Sequence, residues 1–201
     1  MSPYPLLIFA YLMGAFPTSL IVGRIRGIDL RQQGSGNLGA TNTFRVLGWR
    51  AALPVFLVDT FKGWFPTYGF PRWDSASPGE WALAYGAAAI VGHVFSVYVR
   101  FKGGKGVATS SGALLALAPA AAGIGLLLWS AIVFTTGYVS LGSIVTALTL
   151  PLLILALQGR APVFWLSLAL AVFVVFAHRA NLRRLLRGEE HSFKKKVDST
   201  A

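Results

Sequence analysis

The chain has 201 residues, of which 55% are hydrophobic and only 12% are charged, with a mean hydropathy of +0.62. Soluble domains carry about 25% charged residues, so this composition predicts an integral membrane protein. The chain has no cysteine, which excludes disulfides and thiol chemistry. Its N-terminal apolar run is long and lacks a basic leading segment, so we interpret it as a retained span rather than a cleaved signal peptide.

The predicted fold class is an all-α integral membrane protein with seven transmembrane helices. A spanning helix needs about 20 mainly apolar residues. The run 107–136 is too long for one span, and Pro119 with the small residues after it marks a tight reversal between two short helices. A single bent helix there would give six spans instead. The candidate runs are 4–23, 51–70, 81–99, the two halves of 107–136, 142–157 and 162–177. Pro17 is tolerated in the first run if neighbouring helices satisfy the carbonyl that it frees.

The cationic residues predict the orientation of these spans. With seven alternating spans, 15 of the 18 Lys and Arg residues fall on one side, which the positive-inside rule places in the cytoplasm. The other side receives Arg72 and Arg160. The N-terminus is then outside and the C-terminus inside, whereas six spans would mix loops of opposite charge character on one side. We expect one multi-pass domain over 1–190 and a loose, polar basic tail over 191–201.

A polar stretch, Gly34-Ser-Gly-Asn-Leu-Gly-Ala-Thr-Asn-Thr-Phe-Arg45, lies in the predicted cytoplasmic loop 24–50. Polar backbone beside a bilayer must find partners or line a wet site. Its glycines let main-chain N–H groups approach an anion, and Arg45 supplies a planar cationic fork. We interpret it as part of a phosphate-handling surface, the alternative being a merely flexible loop. Its G-x-G-x-x-G spacing does not indicate a dinucleotide site, because an Arg-rich turn precedes it and a membrane span follows.

A second polar segment, Phe101-Lys-Gly-Gly-Lys-Gly106, directly precedes a predicted helix that opens with 107–111. A helix N-terminus presents unpaired N–H groups and a partial positive charge, so the lysines and glycines before it predict an anion-binding loop. It is not a Walker A loop, because Lys105 is followed by Gly106 rather than by Ser or Thr. The alternative is a basic stop-transfer turn, which would not need the glycines.

Two further polar segments follow, at 137–143 and 178–190. In the first, Ser140 or Ser143 either caps the sixth helix or belongs to a helix N-terminus aimed at a phosphate. In the second, His178 and Asn181 share a helix face where the last span leaves the membrane. His178 lies where a general base or phosphate ligand is needed. The alternative for this segment is an ordinary basic helix that binds anionic lipid.

Ionisable residues also occur within the predicted spans. His93, Ser96 and Arg100 lie at helical spacing on one face of the third span, where packing and function are equally open interpretations. Asp59 and Lys62 lie in the second span, where charges are costly and usually paired. We predict that they pair with each other, with a supporting role near the site as the alternative. The sequence has no acidic and histidine cluster at metal spacing and no Gly-x-Ser-x-Gly elbow, so it predicts neither a metal site nor covalent serine catalysis.

Four of these segments together resemble the bacterial acyl-phosphate–glycerol-3-phosphate acyltransferase family, the PlsY type. The resemblance rests on GSGNLGATNTFRVLG at 34–48, DTFKG at 59–63, GHVFSVYVRFKGGKGVATSSG at 92–112 and HRANLRRLLRGEE at 178–190. It covers most of the chain in the family's order, and the segment at 137–143 matches more loosely. The HxxxxD signature of the CoA-dependent glycerolipid acyltransferases is absent.

The resemblance implies a multi-pass enzyme of the bacterial inner membrane, with its active site at the cytoplasmic face. It would transfer a fatty acyl group from acyl phosphate to the 1-hydroxyl of glycerol 3-phosphate, the first acylation step of phospholipid biosynthesis. The products would be lysophosphatidic acid and inorganic phosphate. The resemblance implies no cofactor, no nucleic-acid partner, and neither coenzyme A nor acyl carrier protein as the direct donor. A phosphorylated-solute transporter is the rival, but it would need midplane binding groups and repeats that the sequence lacks.

The expected site residues fall into two groups. The catalytic group is Ser35, Arg45, Lys105 and His178. The expected substrate-binding residues are Gly34, Gly36, Asn37, Thr41, Asn42, Lys102, Gly103, Gly104, Thr109, Ser140, Ser143, Asn181 and Glu190. Acyl phosphate is an activated donor, so alignment and charge stabilisation can supply most of the rate. We prefer a substrate phosphate oxygen to His178 as the base, because carboxylates are scarce on this face.

Overall fold

The computed structural model describes residues 1–75 and 81–193, and all regular elements in those residues are helical. Short 3₁₀ turns at Phe70–Arg72 and Val97–Val99 follow two of the α-helices. The backbone divides into two compact units, Met1–Leu117 and a second unit that begins at Ala118. The α-helices are α1 (Pro3–Ala15), α2 (Thr18–Ile25), α3 (Ala40–Leu47), α4 (Trp49–Gly69), α5 (Ala82–Val94), α6 (Val107–Leu117), α7 (Pro119–Thr136), α8 (Val139–Gln158), α9 (Pro162–Ala177) and α10 (Arg179–Leu186).

Several of these helices are long and apolar enough to cross a membrane. Among the described residues there are four such segments, and the pair α9 and α10, bent by 59°, is a fifth if it forms one span. The four are Pro3–Ile25, Ala82–Val99, Pro119–Thr136 and Val139–Gln158. α4 is long but less apolar because it carries Asp59 and Lys62, and the 11 residues of α6 reach only about 17 Å. The all-α membrane fold is confirmed at this level, whereas the seven-span count and the orientation stay predictions.

The first predicted span, 4–23, agrees with the candidate span Pro3–Ile25, although its helix is interrupted at Phe16 and Pro17. Proline has no N–H to donate, so carbonyls near the break need other partners. The Nζ of Lys62 donates to the Phe16 carbonyl at 2.9 Å. The Oγ of Ser96 donates to the Ala15 carbonyl at 2.5 Å. The carbonyl that Pro17 itself frees is that of Met13, which accepts the N–H of Phe16 at 3.2 Å. It is satisfied within the break, whereas the prediction required a neighbouring helix.

Glycines let the helices of the first unit approach backbone to backbone. α4 packs on α6, and a Cβ added at Gly63 would overlap the carbonyl oxygen of Thr109. α1 packs on α5, and a Cβ at Gly14 would overlap the main chain of Ala89. Small residues are typical of helix contacts in membrane proteins. Lipid tails are as apolar as leucine side chains, so the helices associate mainly through close packing. These contacts show how closely α4 packs on α6 and α1 packs on α5.

The predicted polar loop 24–50 contains a helix, α3, so the expectation of a loop throughout this range was wrong. α3 turns the side chains of Asn42 and Thr43 inward, where both are buried. It ends at Leu47, and Gly48 follows with a φ of 79°, which suits a glycine that closes a helix. Two turns of amphipathic helix are too short to stand out as periodicity in a stretch this polar.

The third predicted span, 81–99, agrees with the candidate span Ala82–Val99, but its α-helix stops at Val94 and a 3₁₀ turn follows at Val97–Val99. The N–H groups of Gly103 and Gly104 bond the carbonyls of Val94 and His93, which turns the chain back on the end of α5. Arg100 lies beyond the helix with a φ of 55°. His93, Ser96 and Arg100 therefore do not share a helical face, and that expectation was wrong.

In the second unit, α8 packs against both α7 and α9, and α10 contacts α8 and α9. The helix break predicted at Pro119 is confirmed, since α6 ends at Leu117 and α7 begins at Pro119. The backbone N–H of Phe193, expected in a loose tail, donates to the carbonyl of Gly137 at 3.2 Å. The rest of that tail, 194–201, lies outside the described residues.

Candidate active site

Asn42 gives the first polar segment its shape. Its side chain is 1% exposed, and Nδ2 donates to the carbonyls of Leu30 at 3.1 Å and Gln33 at 3.0 Å. Its Oδ1 accepts the backbone N–H of Ser35 at 2.8 Å. Gly34 has a φ of 61°, and a Cβ there would overlap Oδ1 of Asn42. Because both amide N–H donors are engaged within the chain, Asn42 builds the turn that presents Ser35, and a direct substrate contact by Asn42 stays a prediction.

The other expected residues of this segment lie nearer the surface. Ser35 is exposed, and Gly36 and Asn37 are half-buried. Thr41 and Arg45 are also half-buried and lie four residues apart on α3, so they share a face. Arg45 is in the last turn of that helix, where the helix dipole favours a cation. The segment thus presents hydroxyl and guanidinium groups at an accessible surface.

The second polar segment folds against the end of α5. The N–H of Gly103 donates to the Val94 carbonyl at 3.0 Å, and the N–H of Gly104 to the His93 carbonyl at 3.2 Å. Gly104 lies so close to the carbonyl of Leu38 and to Nε2 of His93 that a Cβ would overlap both. Leu38 belongs to the first polar segment. Two segments that are separated by 55 residues of sequence therefore meet at Gly104.

The two lysines of this segment lie just ahead of a helix. Lys102 is exposed and Lys105 is half-buried. Gly106 has a φ of 75°, and α6 begins at the next residue, so the unpaired N–H groups of its first turn directly follow Lys105. Thr109, an expected binding residue, is instead 0% exposed against α4. Its Oγ1 has no hydrogen-bond partner in the parts of the chain that the structure describes.

A small recess in the first unit is lined by the glycines of this segment and by polar side chains. The polar side chains include Thr18, Asp59, Lys62, His93 and Ser96. Asp59 and Lys62 form the predicted ion pair, with Nζ 2.7 Å from Oδ1. The Oγ1 of Thr18 donates to the same oxygen at 3.0 Å. The sequence pattern indicated the pair but gave no sign that Thr18 and His93 would join it.

Glu190 organises the polar residues of the second unit. Its side chain is buried and accepts hydrogen bonds from Ser140 Oγ at 2.9 Å, Asn181 Nδ2 at 2.7 Å and Arg184 Nε at 2.7 Å. Burial acts to raise the pKa of Glu190, but the hydrogen bonds from Asn181, Arg184 and Ser140 outweigh it and lower the pKa below its usual value. The ionised carboxylate therefore ties α8 and α10 to the C-terminal segment. Sequence reasoning missed Arg184, which the 178–190 motif contains among several similar arginines.

His178 is the junction residue between α9 and α10 and is 5% exposed. Its Nδ1 lies 2.8 Å from the carbonyl of Val174. A carbonyl oxygen only accepts, so Nδ1 carries the proton and Nε2 is the nitrogen that can take one when the ring is neutral. Asn181 lies on α10, past the bend.

Neither serine of the 137–143 segment caps a helix, so the capping interpretation was wrong. α8 begins at Val139, and its first turn has no side-chain cap. The Oγ of Ser143 donates to the Val139 carbonyl at 2.9 Å and accepts from Trp129 Nε1 at 3.2 Å. Both serines face into the second unit, Ser140 towards Glu190 and Ser143 towards α7.

Comparison with known proteins places these features in a family. The family model described as glycerol-3-phosphate acyltransferase matches residues 4–188. A glycerol-3-phosphate acyltransferase of Geobacter sulfurreducens is 43% identical over 92% of this chain and 94% of its own. One of Bacillus cytotoxicus is 44% identical over 93% of each. The chain belongs to the PlsY-type glycerol-3-phosphate acyltransferase family.

Solved structures agree with this assignment. A crystal structure of PlsY (YgiH), an integral membrane glycerol 3-phosphate acyltransferase, in its glycerol 3-phosphate form has a TM-score of 0.90 to this chain. The two are 35% identical, and 98% of each chain is covered. The lysophosphatidic acid form has a TM-score of 0.85 over 94% of each chain. The family resemblance read from the four motifs is therefore confirmed, and it extends over the whole fold.

The Glu190 cluster of this PlsY-type chain gives a prediction about stability. Glu190→Gln removes the charge that Arg184 pairs with and is expected to cost about 1.5–3 kcal/mol, the range for one charge-assisted hydrogen bond. Because the pKa of Glu190 is lowered in the folded protein, the stabilisation is complete above about pH 4.3, the usual pKa of glutamate. It is lost only as the pH falls through the lower pKa that Glu190 has in the folded protein. Thermal unfolding of the purified protein at pH 8 to 5 measures it.

Glu189→Gln is the matched control, because Glu189 is the exposed neighbour of Glu190. It is expected to unfold like the wild type. Equal unfolding temperatures for the two variants, or a loss that disappears already near pH 6, would contradict the assignment.

Proposed function

We propose that the protein transfers a fatty acyl group from acyl phosphate to the 1-hydroxyl of glycerol 3-phosphate and releases lysophosphatidic acid and inorganic phosphate. The observation that carries the proposal is the likeness, at a TM-score of 0.90 over 98% of both chains, to an acyltransferase solved in its glycerol 3-phosphate form. The meeting of the two polar segments at Gly104 supports it from the chain's own geometry.

Phosphate recognition is the first requirement, because both substrates carry a phosphate group. We assign this to Ser35 and Arg45 on the first segment and to Lys102 and Lys105 on the second. Gly103 and Gly104 leave room for the acceptor to approach the main chain. Charge-assisted hydrogen bonds contribute about 1.5–3 kcal/mol each, so roughly four of them reach the ~8 kcal/mol of micromolar binding.

Roles for polar residues of the 137–143 and 178–190 segments follow from the family motifs. His178 and Asn181 are assigned to orienting glycerol 3-phosphate, and Ser140 and Ser143 to holding the donor. Glu190 contributes by fixing Ser140 and Asn181 through its two hydrogen bonds. These roles follow the motif positions, since both His178 and Asn181 lie in the 178–190 motif.

The reaction itself needs little acid catalysis. The acceptor hydroxyl attacks the acyl carbonyl, the C–O bond to the donor phosphate breaks, and inorganic phosphate leaves as a stabilised anion. Alignment and charge stabilisation then supply most of the rate. We propose that an oxygen of a substrate phosphate takes the hydroxyl proton. The donor's acyl chain enters from the bilayer, and the excess of Lys and Arg on one side favours the cytoplasmic face of the inner membrane for the site.

The donor is tested with purified protein, glycerol 3-phosphate and palmitoyl phosphate, by measuring phosphate release and lysophosphatidic acid together. We expect both products in equal amounts, with no product when palmitoyl-CoA replaces the donor. Lys105→Gln is expected to lower kcat/KM by about ten- to a hundredfold, because it removes one phosphate contact of about 1.5–3 kcal/mol. The exposed Arg26 gives the control, since Arg26→Gln changes a cation outside both segments. Phosphate release without acylated acceptor, or acylation from palmitoyl-CoA, would refute the proposal.

The base is tested separately with His178→Gln. A substrate-assisted reaction predicts that this variant keeps glycerol 3-phosphate binding and loses turnover by no more than about tenfold, since the side chain only orients the acceptor. Single-turnover rates and binding titrations on the same preparation separate the two effects. A loss of a thousandfold or more in turnover with unchanged binding would instead identify the imidazole as the base.

A further inference from the structure

The first unit buries a cluster of ionisable groups that the proposed reaction does not use. Asp59, Lys62 and His93 are 2%, 3% and 8% exposed. Ionisable groups inside membrane helices are costly, and a buried ion pair adds little net stability compared with apolar residues of the same size. Such groups are therefore candidates for a functional role.

The ion pair holds the break between α1 and α2. Lys62 Nζ reaches both Asp59 at 2.7 Å and the Phe16 carbonyl at 2.9 Å. Thr18, the first residue of α2, donates to Asp59. Both sides of the break are thus tied to the same point on α4, which forms one wall of the recess.

His93 connects this wall to the second polar segment. Its Nδ1 lies 4.0 Å from Asp59 Oδ1 and has no hydrogen-bond partner within residues 1–75 and 81–193. The other side of the ring lies against Gly104, whose N–H also bonds the His93 carbonyl. His93 therefore contacts Gly104 through both its ring and its backbone.

The turn that precedes Gly104 is strained. Arg100 and Phe101 have φ angles of 55° and 61°, which non-glycine residues rarely adopt. A non-glycine residue keeps such a conformation only where the surrounding structure fixes it. The Phe101 N–H bonds the Ser96 carbonyl at 2.8 Å, and the Ser96 hydroxyl bonds the end of α1. The segment with Lys102 and Lys105 is therefore held from both ends, by Ser96 and by His93.

We propose that His93 is a positioning residue: its ring, seated beside the Asp59–Lys62 pair, fixes Gly104 and thereby places Lys102 and Lys105 for glycerol 3-phosphate. His93 acts through Gly104 and is not itself a catalytic residue. The inference rests on the proposed function, because its readout is the KM for glycerol 3-phosphate.

The test uses three full-length variants, His93→Gln, His93→Asn and His93→Leu. A glutamine nitrogen reaches the position of Nε2 beside Gly104, whereas an asparagine nitrogen reaches only that of Nδ1. We expect Asn and Leu to raise the KM for glycerol 3-phosphate at least tenfold while the KM for palmitoyl phosphate stays within threefold. Gln is expected to recover most of the loss. His191→Ala, a change at an exposed histidine, is expected to leave both KM values unchanged.

Unfolding temperature is measured for every variant. If the Leu variant does not fold, the Asn variant decides, because it is smaller than histidine and keeps a polar group near Asp59. A wild-type KM in the Asn variant, equal rises in both KM values, or rescue by Asn rather than Gln would each overturn the proposal. A wild-type protein that does not use palmitoyl phosphate would instead refute the proposed function.

Discussion

The ion pair between Asp59 and Lys62 is the interaction on which the geometry of the first unit depends. Both groups are buried on α4, and each would be strongly unfavourable without the other. The pair is completed by two partners from the broken first helix, the Phe16 carbonyl and the Thr18 hydroxyl. A proline break in an apolar helix and a charge pair in its neighbour therefore satisfy each other's hydrogen-bonding needs.

Beyond the Asp59–Lys62 pair, the two polar segments of the first unit are held by close backbone approaches more than by contacts between side chains. Glycine at position 104 lets the second segment lie against both Leu38 and His93, and glycine at position 34 lets the first segment close over Asn42. Preorganised N–H groups and cations suit the proposed reaction, in which charge stabilisation and alignment supply most of the rate. The second unit is organised differently, around the single carboxylate of Glu190.

Local features of this fold could be predicted from the sequence, and long-range ones could not. The start of α6 after the glycines and the break at Pro119 follow from local chemistry, and the Asp59–Lys62 pair follows from their spacing on one helix. The helix α3 was missed because its amphipathic pattern is short and polar. The early end of α5 depends on hydrogen bonds from Gly103 and Gly104, which no local pattern announces. The motifs identified Glu190 as important, but its role depends on Ser140, which lies fifty residues away.

The central claim is that the segments 34–45 and 101–106 form one surface that binds the phosphate of glycerol 3-phosphate. Equilibrium titration of glycerol 3-phosphate into the wild type, Arg45→Gln, Lys105→Gln and the double variant tests it most directly. If the two segments form one surface, each single variant binds glycerol 3-phosphate at least tenfold more weakly, and the wild type does not bind glycerol. The fold-loss of affinity in the double variant should then differ at least threefold from the product of the two single-variant fold-losses, as expected for residues that share a ligand. Wild-type affinity in either single variant, or two losses that simply multiply, would contradict it.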